Sequence, residues 1–256
     1  IEYYFDKLFE LSEITATTHS KNTYGEYNYE LKDFGTIWQL NYTLMFIAGL
    51  ALVNIKKIKN RIFGIVTLTV GLMASLIFLT SGLYILSELR QSFLHEDLSS
   101  YATSNFNIGI RYVAFGFFAL LMFALHKLSK AGFMKINFKI PFEVILHVSI
   151  LWIVSSELLN WMDISGSDQT YKLGLSILWG VYALLLIALG IWKQKKYLRI
   201  GAIVLFGITL LKLFFYDIAS LNTISKTIVF LSLGVLLLII SFLYNKYKNV
   251  ISDDTL

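Results

Sequence analysis

Glu88, Glu157, Lys212 and Asp217 are the residues whose types and positions could do chemistry, because each stands at or near the end of a long apolar run. An ionisable side chain inside a membrane segment is costly, so it faces a bundle interior or a water-filled cavity and marks an ion pair or a functional site. A carboxylate buried there with a raised pKa can act as acid or base, and a neighbouring lysine can hold an anion. Lys212 precedes Asp217 by five residues, and five residues turn an α-helix by about 140°, so the two face each other poorly. Glu157, at matched depth, is therefore the expected partner of Lys212, with Asp217 the alternative through an unwound last turn. Each residue also has a plainer reading. Lys212 can snorkel or close a structural ion pair, and Glu88 and Glu157 can be solvated helix ends.

The remaining candidates carry less. Glu143 and His147 are four apart and share a helix face, but Glu143 stands at a boundary beside Lys139. His19, His95, His126 and His147 are scattered, and only His147 lies deep in an apolar run. A lone histidine there is read as hydrogen-bonded within a bundle rather than as a metal ligand. No Walker loop, GxSxG, HExxH or Rossmann glycine pattern occurs. Without cysteine there are no disulfides or thiol metal sites. No cofactor or metal is expected.

The elements that must position these residues are apolar. Of 256 residues, 56% are hydrophobic and 15% charged, against about a quarter charged in soluble domains; mean hydropathy is +0.65. The apolar residues gather into seven runs, near 37–55, 62–86, 108–126, 141–161, 173–192, 199–217 and 223–244. A helix of about 20 residues crosses the roughly 30 Å hydrocarbon core. Backbone groups in lipid must be satisfied within the segment, which selects helices, and the runs lack the alternation of a barrel. The single proline, Pro141, falls at the start of a run where a helix tolerates it. The expected fold is all-α: a polytopic transmembrane bundle of about seven spans, with sequential helices as neighbours because most connections are short.

Orientation follows from lysine and arginine. Lys56, Lys57, Lys59 and Arg61 follow the first run, Lys127, Lys130, Lys135 and Lys139 the third, Lys193, Lys195, Lys196 and Arg199 the fifth, and Lys246 and Lys248 the last. Glu88, Arg90, Glu96, Asp97, Asp163, Asp168, Lys172 and Asp217 occupy the alternate connections. The positive-inside rule puts the basic side in the cytoplasm, with the N-terminus outside and the C-terminus cytoplasmic. The net charge of +5 is thereby explained by loops, and nucleic acid is not an expected partner. Membrane lipids are expected partners, and other subunits of a membrane complex are candidates.

Three regions are expected: an extracytoplasmic or interfacial segment over 1–36, a transmembrane domain over 37–248 and a short tail over 249–256. Ile1–Glu13 is aromatic and amphipathic but too charged to span, and reads as the tail of an earlier helix or an interfacial helix. The chain reads as the C-terminal part of a longer protein. Outward-running helices end in Leu11-Ser12-Glu13, Leu86-Ser87-Glu88, Ser155-Ser156-Glu157 and Tyr216-Asp217. This is either a helical hairpin used several times or coincidence in a chain rich in leucine and serine.

From Ser176 onward the chain carries Ser-Ile-Leu-Trp-Gly-Val-Tyr-Ala, a run ending Leu198-Arg199, Gly-Ile-Thr-Leu-Leu-Lys-Leu-Phe-Phe-Tyr-Asp, and Phe230-Leu-Ser-Leu-Gly234. This stretch, about the last third, resembles the C-terminal end of the bacterial predicted membrane proteins of domain of unknown function 2339. The resemblance singles out Trp179, Tyr182, Arg199, Lys212, Asp217 and Gly234. At Lys226 it more often has arginine, which keeps the charge and adds a planar fork. It implies a bacterial inner-membrane location and many spans, and no activity. The function expected is a membrane scaffold, channel or transport component of the bacterial envelope. Paired broken helices typical of transporters are missing. The alternatives are an enzyme acting at the outer face on a lipid-linked or envelope substrate, and a seven-span sensor.

Overall fold

All seven apolar runs are helical in the computed structural model, which describes residues 1–12, 14–16, 24–94, 104–135, 137–166, 171–217 and 223–246. The helices are α1 (Glu2–Leu11), α2 (Glu30–Val53), α3 (Arg61–Ile77), α4 (Leu83–Leu94), α5 (Phe106–Ser129), α6 (Lys139–Ile164), α7 (Tyr171–Trp192), α8 (Lys196–Lys212) and α9 (Thr223–Lys246). Among the described residues, five stretches are long and apolar enough to cross a membrane: Glu30–Ile58, Arg61–Leu94, Phe106–Ser129, Lys139–Ile164 and Leu173–Trp192. The 249–256 tail lies outside the described residues.

Among the described residues, three π-helical turns interrupt the α geometry. Asn54–Ile58 ends α2, Phe78–Gly82 joins α3 to α4, and Leu213–Asp217 extends α8. Such turns were not legible in the hydropathy pattern, and they change which residues share a face. The first leads into a tight reversal. Asn54 Oδ1 accepts from Asn60 N at 3.0 Å, while its Nδ2 donates to Asn60 O at 3.1 Å. Lys59 turns the chain at φ 52°, and the Asn60 side chain then caps α3 by accepting from Phe63 N.

The fold is all-helical as expected, apart from one short hairpin among the described residues. Ile14–Ala16 (β1) and Tyr24–Glu26 (β2) pair antiparallel, with Ile14 opposite Glu26 and Ala16 opposite Tyr24. Beside the open end of this pair, Ser12 Oγ accepts from Asn28 N at 3.0 Å. Before it, α1 packs on the start of α2: a Cβ at Gly35 would come within 2.9 Å of Phe5 Cβ. Lys32 Nζ lies 4.0 Å over the Phe9 ring.

The chain divides into two units, Ile1–Ser149 and Ile150–Leu256. In the first, α2 buries Ile37, Asn41, Leu44, Ala48 and Ala51. These lie four and three apart in alternation, the seam of a left-handed helix pair. α5 answers with Ile110, Ala114, Phe118, Leu121, Leu125 and Leu128. α2 packs along α5 as well as along its sequence neighbour α3. α3 closes on α5 at Gly71, where a Cβ would meet Leu125 Cδ2 at 2.7 Å.

In the second unit Leu186 and Ile187 of α7 pack against Leu198 and Ala202 of α8, with Tyr182 and Leu205 alongside. The opposite faces are apolar too. Val66, Val70 and Met73 of α3, and Ile203, Val204 and Ile208 of α8, are exposed. A helix apolar on all sides suits lipid rather than water.

Candidate functional site

The densest polar group in the first unit comes from three mutually packed helices, α2, α4 and α5. Glu30 and Asp33 occupy the first turn of α2, Glu88 and Arg90 lie in α4, and Asn107 and Arg111 lie in the first two turns of α5. Asn107 Nδ2 donates to Glu30 Oε2 at 3.0 Å, fastening α5 to α2. Asn107 and Arg111 are four apart, so they share a face. Arg90 Nη2 donates to Ser87 Oγ at 2.8 Å. Arg111 is 1% exposed, and its Cζ lies 5.4 Å from the centre of the Phe115 ring. Asp33 is half-buried and feels the negative charges of Glu88 and Glu30. Glu88 is exposed and lies in electrostatic reach of Tyr84 and Asp33. The group can hold an electrostatic network or present carboxylates beside cations.

The second unit holds Glu157, Lys212 and Asp217, so Glu88 belongs to a different unit from the other three candidates. Lys212 Nζ donates to Ser176 Oγ at 2.9 Å, tying α8 to α7. One turn along α7, Trp179 Nε1 donates to Ser155 Oγ at 2.9 Å, tying α7 to α6. Glu157, two residues beyond Ser155, is half-buried. Positions 212 and 217 bracket the π-helical turn. A π turn winds more slowly than an α-helix, so the α-helical angle does not apply across this stretch. The Asp217 side chain lies outside the described residues. A cavity of about 40 Å³ runs beside Ser176, lined also by Gly180, Phe206, Thr209, Leu213 and Ile228. It has room for no more than a few waters. Among the described residues, no group of three His, Cys, Asp or Glu residues could hold a metal ion.

A comparison with protein families bears on both units at once. The model of the family described as predicted membrane protein (DUF2339) matches residues 11–247. The chain belongs to that family. The membership extends from the last third, where the resemblance was legible, to nearly the whole chain, and it agrees with a multi-pass membrane protein. No curated protein and no solved structure matches the chain.

Within this family member, the residues singled out by resemblance fall at helix junctions. Trp179 bridges α7 and α6, and Lys212 bridges α8 and α7. Tyr182 packs on the α7–α8 core. Arg199 is 5% exposed and lies under Gly190. Gly234 is different: a Cβ there would meet nothing within 4 Å. Of the first-unit group only Glu88 was singled out from sequence, although Arg111 lies inside the expected third span and so carried the signal of an intramembrane charge. Asp33 and Asn107 looked like loop residues, and only the packing of three helices gathers them.

The Lys212 contacts can be weighed by double-mutant cycles in detergent. Lys212→Met with Ser176→Ala is expected to show a coupling of about 0.5–2 kcal/mol, the worth of a charged hydrogen bond out of water. The cycle of Lys212→Met with Glu157→Gln tests the pairing expected from depth. Zero coupling there would leave Ser176 as the partner that holds Lys212.

Proposed function

We propose that this protein is a seven-span scaffold of the bacterial inner membrane that serves a larger envelope complex, with its N-terminus outside and its C-terminus in the cytoplasm. The observation that carries this reading is how the polar side chains are used. Asn107 to Glu30, Lys212 to Ser176 and Trp179 to Ser155 each join one helix to another. Such bonds fasten a bundle. The small cavity beside Ser176 favours a packed core over a conduit. α8, with 17 residues and a π turn, and α9, with 24, supply the sixth and seventh spans.

Two experiments test it. The chain has no cysteine, so single cysteines report sidedness. At Lys57, Lys130 and Lys195 they should be shielded from an impermeant thiol reagent in intact cells, and at Glu96 and Asp168 they should react. Labelling at Lys130 but not at Glu96 would reverse the orientation. Purification from native membrane in mild detergent should then recover the chain with other membrane proteins. Solute or ion flux through liposomes holding the chain alone would replace the scaffold with a channel or transport role.

A second reading, an enzyme acting at the outer face on a lipid-linked or envelope substrate, draws on Asp33, half-buried beside Glu30 and Glu88. It would displace the scaffold if Asp33→Asn abolished function in cells while the variant still assembled with its partners.

A further inference from the structure

The connection between α5 and α6 borders an open pocket of about 540 Å³, far larger than the space beside Ser176. Its polar lining includes His126, Ser129, Lys130, Lys135, Asn137 and Lys139. The three lysines are exposed, so their ammonium groups can turn toward a ligand. Lys135 takes φ 49°, a left-handed turn position that brings the chain back toward α6. Phe138, Lys139 and Phe142 carry the lining into the first turn of α6, where Lys139 and Ile140 carry N–H groups that precede the helical ladder, Pro141 has none, and Phe142 N donates to Phe138 O at 3.0 Å. The His126 and Phe142 rings, 5.0 Å apart, form an apolar wall. One carboxylate, Glu143, is in electrostatic range of His126. It is outnumbered by the three lysines.

The chemistry of such a pocket is that of a phosphate receptor: three lysine cations, the Asn137 amide and the first N–H groups of α6 around a space of headgroup size. Beside it runs an apolar helix surface. Phe123 and Leu120 of α5, and Val144 and Val148 of α6, are exposed on the flanking helices. In a bilayer that surface meets acyl chains at the depth where the pocket meets headgroups.

We propose that this pocket binds the phosphodiester headgroup of an anionic phospholipid, with the acyl chains lying along α5 and α6. The assignment does not depend on which side of the membrane the pocket faces, nor on the scaffold reading. It differs from the general attraction of basic loops for anionic membranes, because it needs the pocket. The connection after α2 offers a matched comparison, with Lys56, Lys57 and Lys59 also exposed and Lys59 also left-handed at φ 52°.

The test titrates the purified chain, in zwitterionic micelles, with phosphatidylglycerol, reading bound lipid by native mass spectrometry and the shift in melting temperature. One variant is Lys130→Gln/Lys135→Asn/Lys139→Gln, and its charge-matched control is Lys56→Gln/Lys57→Gln/Lys59→Asn; asparagine is used where φ is positive. Each lysine near an anionic surface contributes about a factor of five, so the pocket variant should lose on the order of a hundredfold in affinity. The control should lose much less, and phosphatidylcholine should not bind the pocket. Equal losses in the two variants, or none in the pocket variant, would overturn the proposal. Displacement of the lipid by glycerol 3-phosphate at equal concentration would also overturn it, by making the ligand a soluble phosphate compound.

Discussion

Arg111→Ala is expected to lower the stability of the first unit by about 3–5 kcal/mol, the cost of opening a buried charged network and leaving a cavity. Arg111 is among the largest fully buried side chains, 1% exposed, in a region that also holds Glu30, Asp33 and Glu88. Removing the guanidinium takes a buried positive charge from the face that also carries Asn107, the partner of Glu30, and it empties the volume beside Phe115. Melting in detergent should fall by on the order of 10 °C. Arg111→Lys keeps the charge but not the planar fork, so it should recover only part of the loss. Unchanged melting of Arg111→Ala would show that the network does not hold α2, α4 and α5 together.

Gly190→Leu should be nearly as damaging to the second unit. A Cβ at Gly190 would lie 2.7 Å from Arg199 Cγ, 3.0 Å from Arg199 N and 3.3 Å from Leu198 Cβ. The Arg199 nitrogen belongs to the backbone of α8, so relief requires the helix to move. Overpacking of this kind costs about 1–3 kcal/mol, and the backbone contact puts Gly190 at the upper end. Gly201→Ala and Gly207→Ala are the controls, since a Cβ at either meets nothing within 4 Å. In a helix interior they should be neutral or stabilise by up to about 1 kcal/mol. Equal melting of the Gly190 and Gly201 variants would mean that α7 and α8 do not approach at Gly190.

Both variants act on contacts that hydropathy does not encode. The Gly190 approach needs α7 and α8 folded back on each other over Lys193 and Gln194, the latter turning at φ 52°. Arg199 read as one more basic residue of a loop, yet it is 5% exposed. Lys212 was legible as an intramembrane charge in need of a partner. Ser176 was not legible as that partner, because a hydroxyl on a neighbouring helix leaves no pattern in the chain.

What the sequence determined by itself is the set of helices and their membrane setting. Seven apolar runs became helices, and Arg61–Leu94 and Lys139–Ile164 outran their apolar cores by only a few residues at most ends. The reason is local: in hydrocarbon each backbone group must bond within its own segment, so length and composition decide. The tertiary structure alone decided which helices are neighbours and which polar groups meet. α2 lies along α5 because both carry a four-and-three seam, and that pairing brings Asn107 to Glu30. It also assigned Glu88 to one unit and Glu157 and Lys212 to the other, and put a π turn between positions 212 and 217. These depend on side-chain volumes packed across helices, a physical constraint that acts between distant residues and leaves no period in the sequence.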